Sequence, residues 1–430
     1  MKTVLILSKY FFPSSHVGAN RVTFTSSYLH QLGWKPIVIT TDTGSYDSRQ
    51  SGAEKNIPLP EHYIHRIKYM SPMSSSWVVS FMGLRWDIIG KPELTAGNDL
   101  LWKKLVPTAE KMIFTHKPDV IYSTIPPPIM AYMGHYLSSK HNIPHVIDFR
   151  DVPQQFTDAD IFLFRMRYRR HCKRIAKPIA AASAIITVSD GLRTSLYENY
   201  KRDSYVIYNG FDHFTHETAA LKNIKDKHFT ISYTGSLSFN GLKACSPEPL
   251  FHAIDILLMK YGNRELLNWK IKFIGLSRND LKPFQHYKSF DLCEFTGRVP
   301  YAESVAYQHS STILLHLTHR WRQGIITSKI FDYLAASRPI LTIPGDNDYV
   351  DDLLNKTGAG VSLEDPEVIA EQLMNWYLQW KESGRIFLSA NKEEIETYSR
   401  QNQTKKLASI LESSINVEST KIPNNHFGNK

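Results

Sequence analysis

The chain has 430 residues, of which 42% are hydrophobic and 21% charged. That balance excludes a single small module and the low-hydrophobicity, high-charge regime of disordered chains. The net charge is +10, with 26 Lys/Arg against 16 Asp/Glu in residues 1–205 and 25 of each in residues 206–430, so the excess lies entirely in the first half. A one-sided basic surface suits anionic lipid, nucleic acid or a phosphorylated substrate, and equally an ordinary solvated surface.

In chain order, the first half presents short apolar, β-branched runs at Thr3–Ser8, Pro36–Thr40, Tyr63–Tyr69, Asp119–Ser123, His145–Phe149, Ala184–Val188 and Tyr205–Tyr208. The second half repeats the pattern at Thr230–Thr234, Ile271–Gly275, Cys293–Thr296, Thr312–His316 and Pro339–Ile343. Continuous apolar strands separated by segments of helical period predict parallel sheets covered on both faces. Two such series, meeting near Asn209-Gly210, predict an α/β chain of two doubly wound domains. The expected boundaries are 1–205, 206–385, terminal helices over 386–415 and a poorly ordered polar tail over 416–430. The opening run is a strand without a cleavage site, and no apolar stretch has the length of a spanning helix, so a cytoplasmic protein is expected. Cys172, Cys245 and Cys293 lie far apart in no CxxC pairing, which predicts buried spectators rather than a disulfide framework or a zinc site.

Two segments interrupt the alternation. Ser71–Leu105 concentrates Trp77, Phe81, Trp86 and Trp102 with many aliphatics. A helix is predicted over Ile161–Lys177, closed by Pro178, with an apolar stripe at Ile161, Phe164, Tyr168, Cys172 and Ile175 between arginines and lysines. Such a basic amphipathic helix either lies on anionic headgroups or packs its stripe into its own domain.

Three loops at strand ends invite ligands. Gly324 to Lys329 leads into a helix with Thr327 and Ser328 at its start, where backbone N–H groups and the dipole favour an anion. Lys329 and Asp332 are three apart on that helix, a cation for a diphosphate beside a carboxylate for ribose hydroxyls, or a plain i,i+3 ion pair. Tyr233-Thr234-Gly235-Ser236-Leu237 ends the first strand of the second domain; Gly235 permits close approach, Ser236 can donate, and Lys243 follows. In the first domain, Gly18 precedes a helix bearing Arg21 on its first turn, and Asp148-Phe149-Arg150-Asp151 ends a buried-type strand; a local ion pair explains that last cluster equally well. Gly358-Ala359-Gly360-Val361-Ser362-Leu363 lacks the third glycine of a dinucleotide fingerprint and is expected to precede a strand. No P-loop, nucleophile elbow or HExxH occurs, and Asp158-Ala159-Asp160 and Asp346-Asn347-Asp348 read as surface acids.

Over roughly residues 1–385 these pieces together resemble bacterial family-4-type retaining glycosyltransferases of the GT-B architecture. The resemblance rests on Tyr10-Phe11-Phe12-Pro13 with Gly18-Ala19-Asn20-Arg21, Pro126-Pro127-Pro128, Asp148-Phe149-Arg150-Asp151, Thr187-Val188-Ser189 and Asn209-Gly210-Phe211-Asp212. It continues in Tyr233-Thr234-Gly235, Thr296-Gly297-Arg298-Val299 and Ser328 to Leu334. It implies two Rossmann-like domains facing each other across a cleft, the second holding a nucleotide-diphosphate sugar and the first a glycan acceptor. Donor-binding positions implied are Gly235, Ser236, Lys243, Gly324, Thr327, Ser328, Lys329 and Asp332. Acceptor-side positions are Gly18, Arg21 and Arg150, the last more structural, and catalytic positions are Asp151 and Lys329. No metal or cofactor is implied. Asp332 takes the place of the second glutamate of the family's Glu-x7-Glu pattern, whereas Gly324 stands where the first would be. Ser236 replaces the arginine many members carry there, which throws diphosphate neutralisation onto Lys329 and backbone N–H groups. The implied role is transfer to a lipid-linked acceptor in lipopolysaccharide, capsule or exopolysaccharide synthesis, on an anionic inner-membrane surface. A nucleotide-sugar epimerase, a non-catalytic descendant and a nucleic-acid binder are the alternatives; no nucleic-acid motif appears.

Overall fold

A computed structural model of the protein describes residues 1–14, 17–42, 59–68, 96–151, 162–221, 227–239, 242–243, 245–262, 265–318, 324, 326–345 and 347–419. For 17, 96–100, 162–171, 238–239, 242–243, 265, 267 and 417–419 it describes the backbone alone. By packing, the chain divides into one unit of Met1–Tyr208 with Arg400–Lys430 and another of Asn209–Ser399.

The first unit holds β1 (Thr3–Leu7), α1 (Val17–Gln31), β2 (Lys35–Asp42), β3 (Ile64–Lys68), α2 (Ala96–His116), β4 (Val120–Ile125), α3 (Ile129–His141) and β5 (His145–Phe149). It continues with α4 (Phe162–Ala181), β6 (Ala184–Thr187), α5 (Asp190–Tyr200) and β7 (Tyr205–Val206). Its strands form one parallel sheet in the order β3-β2-β1-β4-β5-β6-β7. The alternation of side chains decides the layers. Val4 and Ile6 of β1 join a core with Val22 and Leu29 of α1. Leu5 and Leu7 join the opposite core with Leu105 and Met112 of α2 and Met133 of α3. Both faces are therefore dry, which is why these strands read as unbroken apolar runs.

The second unit holds α6 (His213–Leu221), β8 (Phe229–Thr234), β9 (Ser238–Phe239), β10 (Leu242–Lys243), α7 (Glu248–Tyr261), β11 (Trp269–Ile274), β12 (Cys293–Gly297), α8 (Tyr301–Ser310) and β13 (Ile313–Leu317). After these come α9 (Ser328–Ala336), β14 (Ile340–Ile343), α10 (Tyr349–Thr357), β15 (Gly360–Ser362), α11 (Pro366–Ser383) and α12 (Lys392–Thr397). Its parallel sheet runs β12-β11-β8-β13-β14-β15. Phe229, Ile231 and Tyr233 face a core with Phe251 and Ile254 of α7 and Leu373 and Trp376 of α11. The other face of β8 is a buried polar row satisfied in place: Ser311 Oγ donates to Ser232 Oγ (2.6 Å), and Gln308 Nε2 to Thr234 Oγ1 (3.2 Å). Both sheets and their flanking helices match the expected pair of doubly wound domains.

The terminal helices are shared between the units. α12 ends the second, and α13 (Arg400–Ser419) returns to the first, where Leu407 and Leu411 enter the α1 core. The expected tail therefore starts too early: residues 416–419 are helical, and 420–430 lie outside the described residues. Pro178 does not close its helix but sits inside α4. In the last turn the proline forfeits one hydrogen bond rather than an interior ladder. The Gly358–Leu363 stretch does not precede a strand: Gly358 caps α10 in the left-handed region and Gly360–Ser362 is itself the edge strand. Residues 71–95, Ile161, Asp158-Ala159-Asp160 and Asp346 lie outside the described residues, and the side chains of 162–171 do as well. Among the described residues no helix is long and apolar enough to cross a membrane.

Candidate active site

In an open parallel sheet, ligands collect beyond the carboxyl ends of the strands where the chain order reverses. In the second unit that reversal falls between β8 and β13. A cleft of about 770 Å³ opens at these strand ends, lined by Ser236, Cys245, Gly275, Gly297, Arg298 and Thr318 among others.

Gly235 leaves β8 at φ +113°, and a Cβ built there would lie 2.6 Å from Lys329 Cε. Only glycine allows both that backbone and that neighbour. The register of α9 makes the contact: Tyr333 Oη accepts from the Thr234 N–H at 3.0 Å, and Lys329, one turn earlier, reaches the following loop. Lys329 Nζ donates to Tyr233 Oη at 2.8 Å and lies 4.5 Å from the centre of that ring, while Tyr233 Oη donates to the Ser236 carbonyl at 2.7 Å. Burial lowers the Lys329 ammonium to about 8, against a weaker opposing pull from the Cys245 thiol. Burial pushes that thiol up to about 11. Among the described residues no carboxylate pairs with Lys329, so a half-buried cation stands at the strand ends with a phenol oxygen as its hydrogen-bond partner.

The N-terminus of α9 faces the same neighbourhood. Thr327 occupies the cap position in extended conformation without capping through its side chain, because its hydroxyl bonds His316 Nε2 at 3.2 Å. The first-turn N–H groups, with Ser328 at N1, thus lack a side-chain cap. Gly324, at φ +80°, gives its N–H to Asp348 Oδ2 at 2.6 Å, so that amide is committed within the protein. Asp348 is accordingly more than a surface acid. The i,i+3 ion pair open to Lys329 and Asp332 does not form. Asp332 is buried, and its Oδ1 accepts from Tyr301 Oη (2.8 Å) and faces His216 Nε2 (3.4 Å). The two side chains turn to different neighbours, Lys329 to the end of β8 and Asp332 to α6 and α8. Lys243 lies on β10, its side chain outside the described residues.

The first unit corrects two expectations. Arg21 does not present its charge to a substrate. It is buried, its Nε and Nη2 donating to Asp148 Oδ2 (2.8 Å) and Oδ1 (3.0 Å) and its Nη1 to the Tyr208 carbonyl (3.1 Å). Tyr122 Oη completes the cluster at 2.5 Å from Asp148 Oδ2. Nor does the space at Gly18 admit a substrate: a Cβ there would lie 1.9 Å from Arg150 Nη1. Arg150 itself is committed to the Ile125 carbonyl (3.2 Å) and the Pro126 carbonyl (2.9 Å), holding the turn after β4. Asp151 sits two residues past β5. Residues 152–161, which follow it, lie outside the described residues.

Sequence reasoning passed over Tyr233, Cys245, Arg298, Tyr301 and His216. Arg298 stands in the Thr296-Gly297-Arg298-Val299 run without a role assigned from sequence, and Tyr233 in the Tyr-Thr-Gly triplet. His216 and Cys245 carried no local signal. The three cysteines are half-buried and unbridged rather than buried, and Cys245 lines the cleft.

Two doubly wound units with a ligand cleft at the switch point of the second define the GT-B architecture. Residues 18–213 match the family model for Glycosyltransferase Family 4, which bears out the resemblance over that stretch. Among solved structures, the chain is similar to sucrose-phosphate synthase from Thermosynechococcus elongatus (11% identity, 97% of this chain and 100% of that chain covered, TM-score 0.65). It is also similar to Anabaena HepE in complex with UDP (13%, 96% and 100%, 0.61). A third likeness is the lipopolysaccharide outer core galactosyltransferase WaaB (14%, 96% and 99%, 0.55). No curated protein matches in sequence.

Proposed function

We propose that the protein is a retaining glycosyltransferase that moves a sugar from a nucleotide-diphosphate sugar, bound by the second unit, to a glycan acceptor taken by the first. The observation that carries this reading is Lys329: a cation lowered to about 8 by burial, without a carboxylate partner among the described residues, laid against Gly235 beside the uncapped start of α9. A diphosphate there would supply the counter-charge the protein withholds. Glycosyl transfer passes through an oxocarbenium-like state while negative charge grows on the leaving diphosphate, so Lys329 and the α9 N–H groups act where charge develops. Gly235 lets the loop close on the phosphates, Ser236 donates from its rim, and Asp332 receives the ribose. With this cation in place the reaction calls for no metal, and the leaving phosphate can take the proton of the acceptor hydroxyl. Asp151 is the residue assigned to orient the acceptor or the transferred sugar.

The acceptor is a lipid-linked glycan of bacterial surface polysaccharide synthesis, met at the inner face of the cytoplasmic membrane. The one-sided charge of residues 1–205 supports this, as does the likeness to a lipopolysaccharide transferase. Flotation with anionic vesicles at low salt tests it, and a protein that stays in the soluble fraction refutes it. Thermal-shift screening against nucleotide-diphosphate sugars, repeated with Lys329→Ala and Asp332→Ala, tests the donor site. A donor that stabilises the parent and neither variant supports the assignment, and equal stabilisation of all three overturns it. Incubation with the donor alone, followed by a search for an epimer, separates the transferase from a nucleotide-sugar epimerase.

A further inference from the structure

We propose that Tyr301 and His216 are positioning residues that aim the free oxygen of Asp332 at a ribose hydroxyl of the nucleotide, and so set how strongly the site prefers ribonucleotides. The inference rests on the donor reading above and adds residues to it. Asp332 is nine-tenths buried, and both of its protein contacts converge on one oxygen: Tyr301 Oη at 2.8 Å and His216 Nε2 at 3.4 Å from Oδ1. Oδ2 has no hydrogen-bond partner among the described residues, yet it is not sealed away from solvent. A buried carboxylate with one oxygen clamped and the other open is an acceptor waiting for a donor, since leaving such an oxygen unpaired is costly.

The clamp is itself anchored. Tyr301 opens α8, three residues after Arg298 of the cleft wall, so its hydroxyl ties Asp332 to the turn that ends β12. His216 lies on α6 between Phe211, whose ring meets it edge-on at 6.1 Å, and His309, whose Nε2 is 3.0 Å from His216 Nδ1. Burial lowers His309 to about 4, so it is neutral near pH 7. Its Nε2–H can then donate to His216 Nδ1, while His216 Nε2 faces Asp332. Arg338 fixes the far end through Nε and Nη2, 3.1 and 2.6 Å from the His309 carbonyl. Turning the Asp332 carboxylate breaks both contacts to Oδ1 together, whereas Oδ2 stays available to a ligand.

The test compares affinities, not activity. UDP, ADP, GDP and CDP are titrated calorimetrically, and the tightest binder is then compared with its 2′-deoxy and 2′,3′-dideoxy counterparts. Hydrogen bonds to a charged group are worth about 1.5–3 kcal/mol, so the parent should prefer the ribonucleotide about 10- to 100-fold. Asp332→Asn should lose most of that ratio. Tyr301→Phe, which removes one hydroxyl from a half-buried ring, should lower it about threefold or more, and His216→Gln serves as a second variant of similar reach. A merely structural role would weaken ribo- and deoxynucleotides alike and leave the ratio unchanged. If the ratio falls in Asp332→Asn but persists in both Tyr301→Phe and His216→Gln, the positioning role is wrong while the donor site stands. A parent that binds ribo and dideoxy forms equally also overturns it, and a parent that binds no nucleoside diphosphate overturns the donor reading with it.

Discussion

Replacing Lys329 by methionine should make the unliganded protein more stable and the liganded one weaker. The ammonium falls from 10.5 to about 8 because the folded protein desolvates it without supplying a carboxylate. At 1.36 kcal/mol per pH unit this amounts to at most about 3 kcal/mol held against folding. A lysine lowered in the folded state carries its full cost below pH 8, where it must be charged in both states. Between pH 8 and 10.5 the unfolded chain binds more protons, so stability rises with pH and the cost disappears. Methionine fills the stem's space without the charge and gives up one bond to Tyr233 Oη, about 1 kcal/mol. Urea unfolding should therefore find Lys329→Met about 1–2 kcal/mol more stable than the parent at pH 7. Near pH 10.5 the advantage should vanish. Titration with the nucleoside diphosphate that binds the parent should show the opposite order, with affinity reduced about 10- to 100-fold by loss of a charge-assisted contact. Because the anion favours charged Lys329, parent affinity should also hold level below pH 8 and fall above it, up to about tenfold per unit. A variant less stable than the parent at pH 7, or one that binds the diphosphate as tightly, would refute the reasoning.

Gly235→Ala puts a Cβ 2.6 Å from Lys329 Cε at a positive φ; a stability loss of about 1–3 kcal/mol and weaker diphosphate binding are expected by urea unfolding and calorimetry. Gly18→Ala drives a Cβ into Arg150, which should free the Ile125 and Pro126 carbonyls and cost the first unit about 1–3 kcal/mol, with nucleotide affinity unchanged. Asp148→Asn leaves Arg21 buried with its paired carboxylate gone; a loss approaching the about 3–5 kcal/mol of a broken buried pair is expected, read as a lower unfolding midpoint of the first unit.

The parts of this protein that local chemistry decides were legible along the chain. β1 and β8 read as strands because both of their faces are buried, and the Gly235 loop read as a ligand approach because it follows such a strand. What periodicity cannot supply is a partner. It placed Arg21 and Asp148 correctly on a helix start and a strand end, yet not against each other, for they are 127 positions apart and meet only when α1 folds over the sheet. It placed Lys329 and Asp332 three residues apart on one helix, but the neighbours that turn them aside come from β8, α6 and α8. Short elements escaped for a related reason. The two-residue strands β9 and β10 and the three-residue β15 are too brief for a period to register, and pairing with neighbours creates them.

The same limit explains why the departures from the family pattern were visible but their consequences were not. Ser236 and Gly324 stand where an arginine and a glutamate are usual, which by itself suggests a weakened or idle site. Under the proposed function the loss at Ser236 is met from a different element, since Lys329 reaches the Gly235 loop from the first turn of α9. At Gly324 the backbone N–H goes to Asp348, so the position ties its loop to the start of α10. A cation supplied from α9 rather than from the β8 loop moves with that helix, whose register Tyr333 pins to Thr234. Charge at the strand ends is thus set by helix packing, and a substitution such as Tyr333→Phe, which leaves residue 329 unsubstituted, should displace the Lys329 ammonium and weaken nucleotide binding.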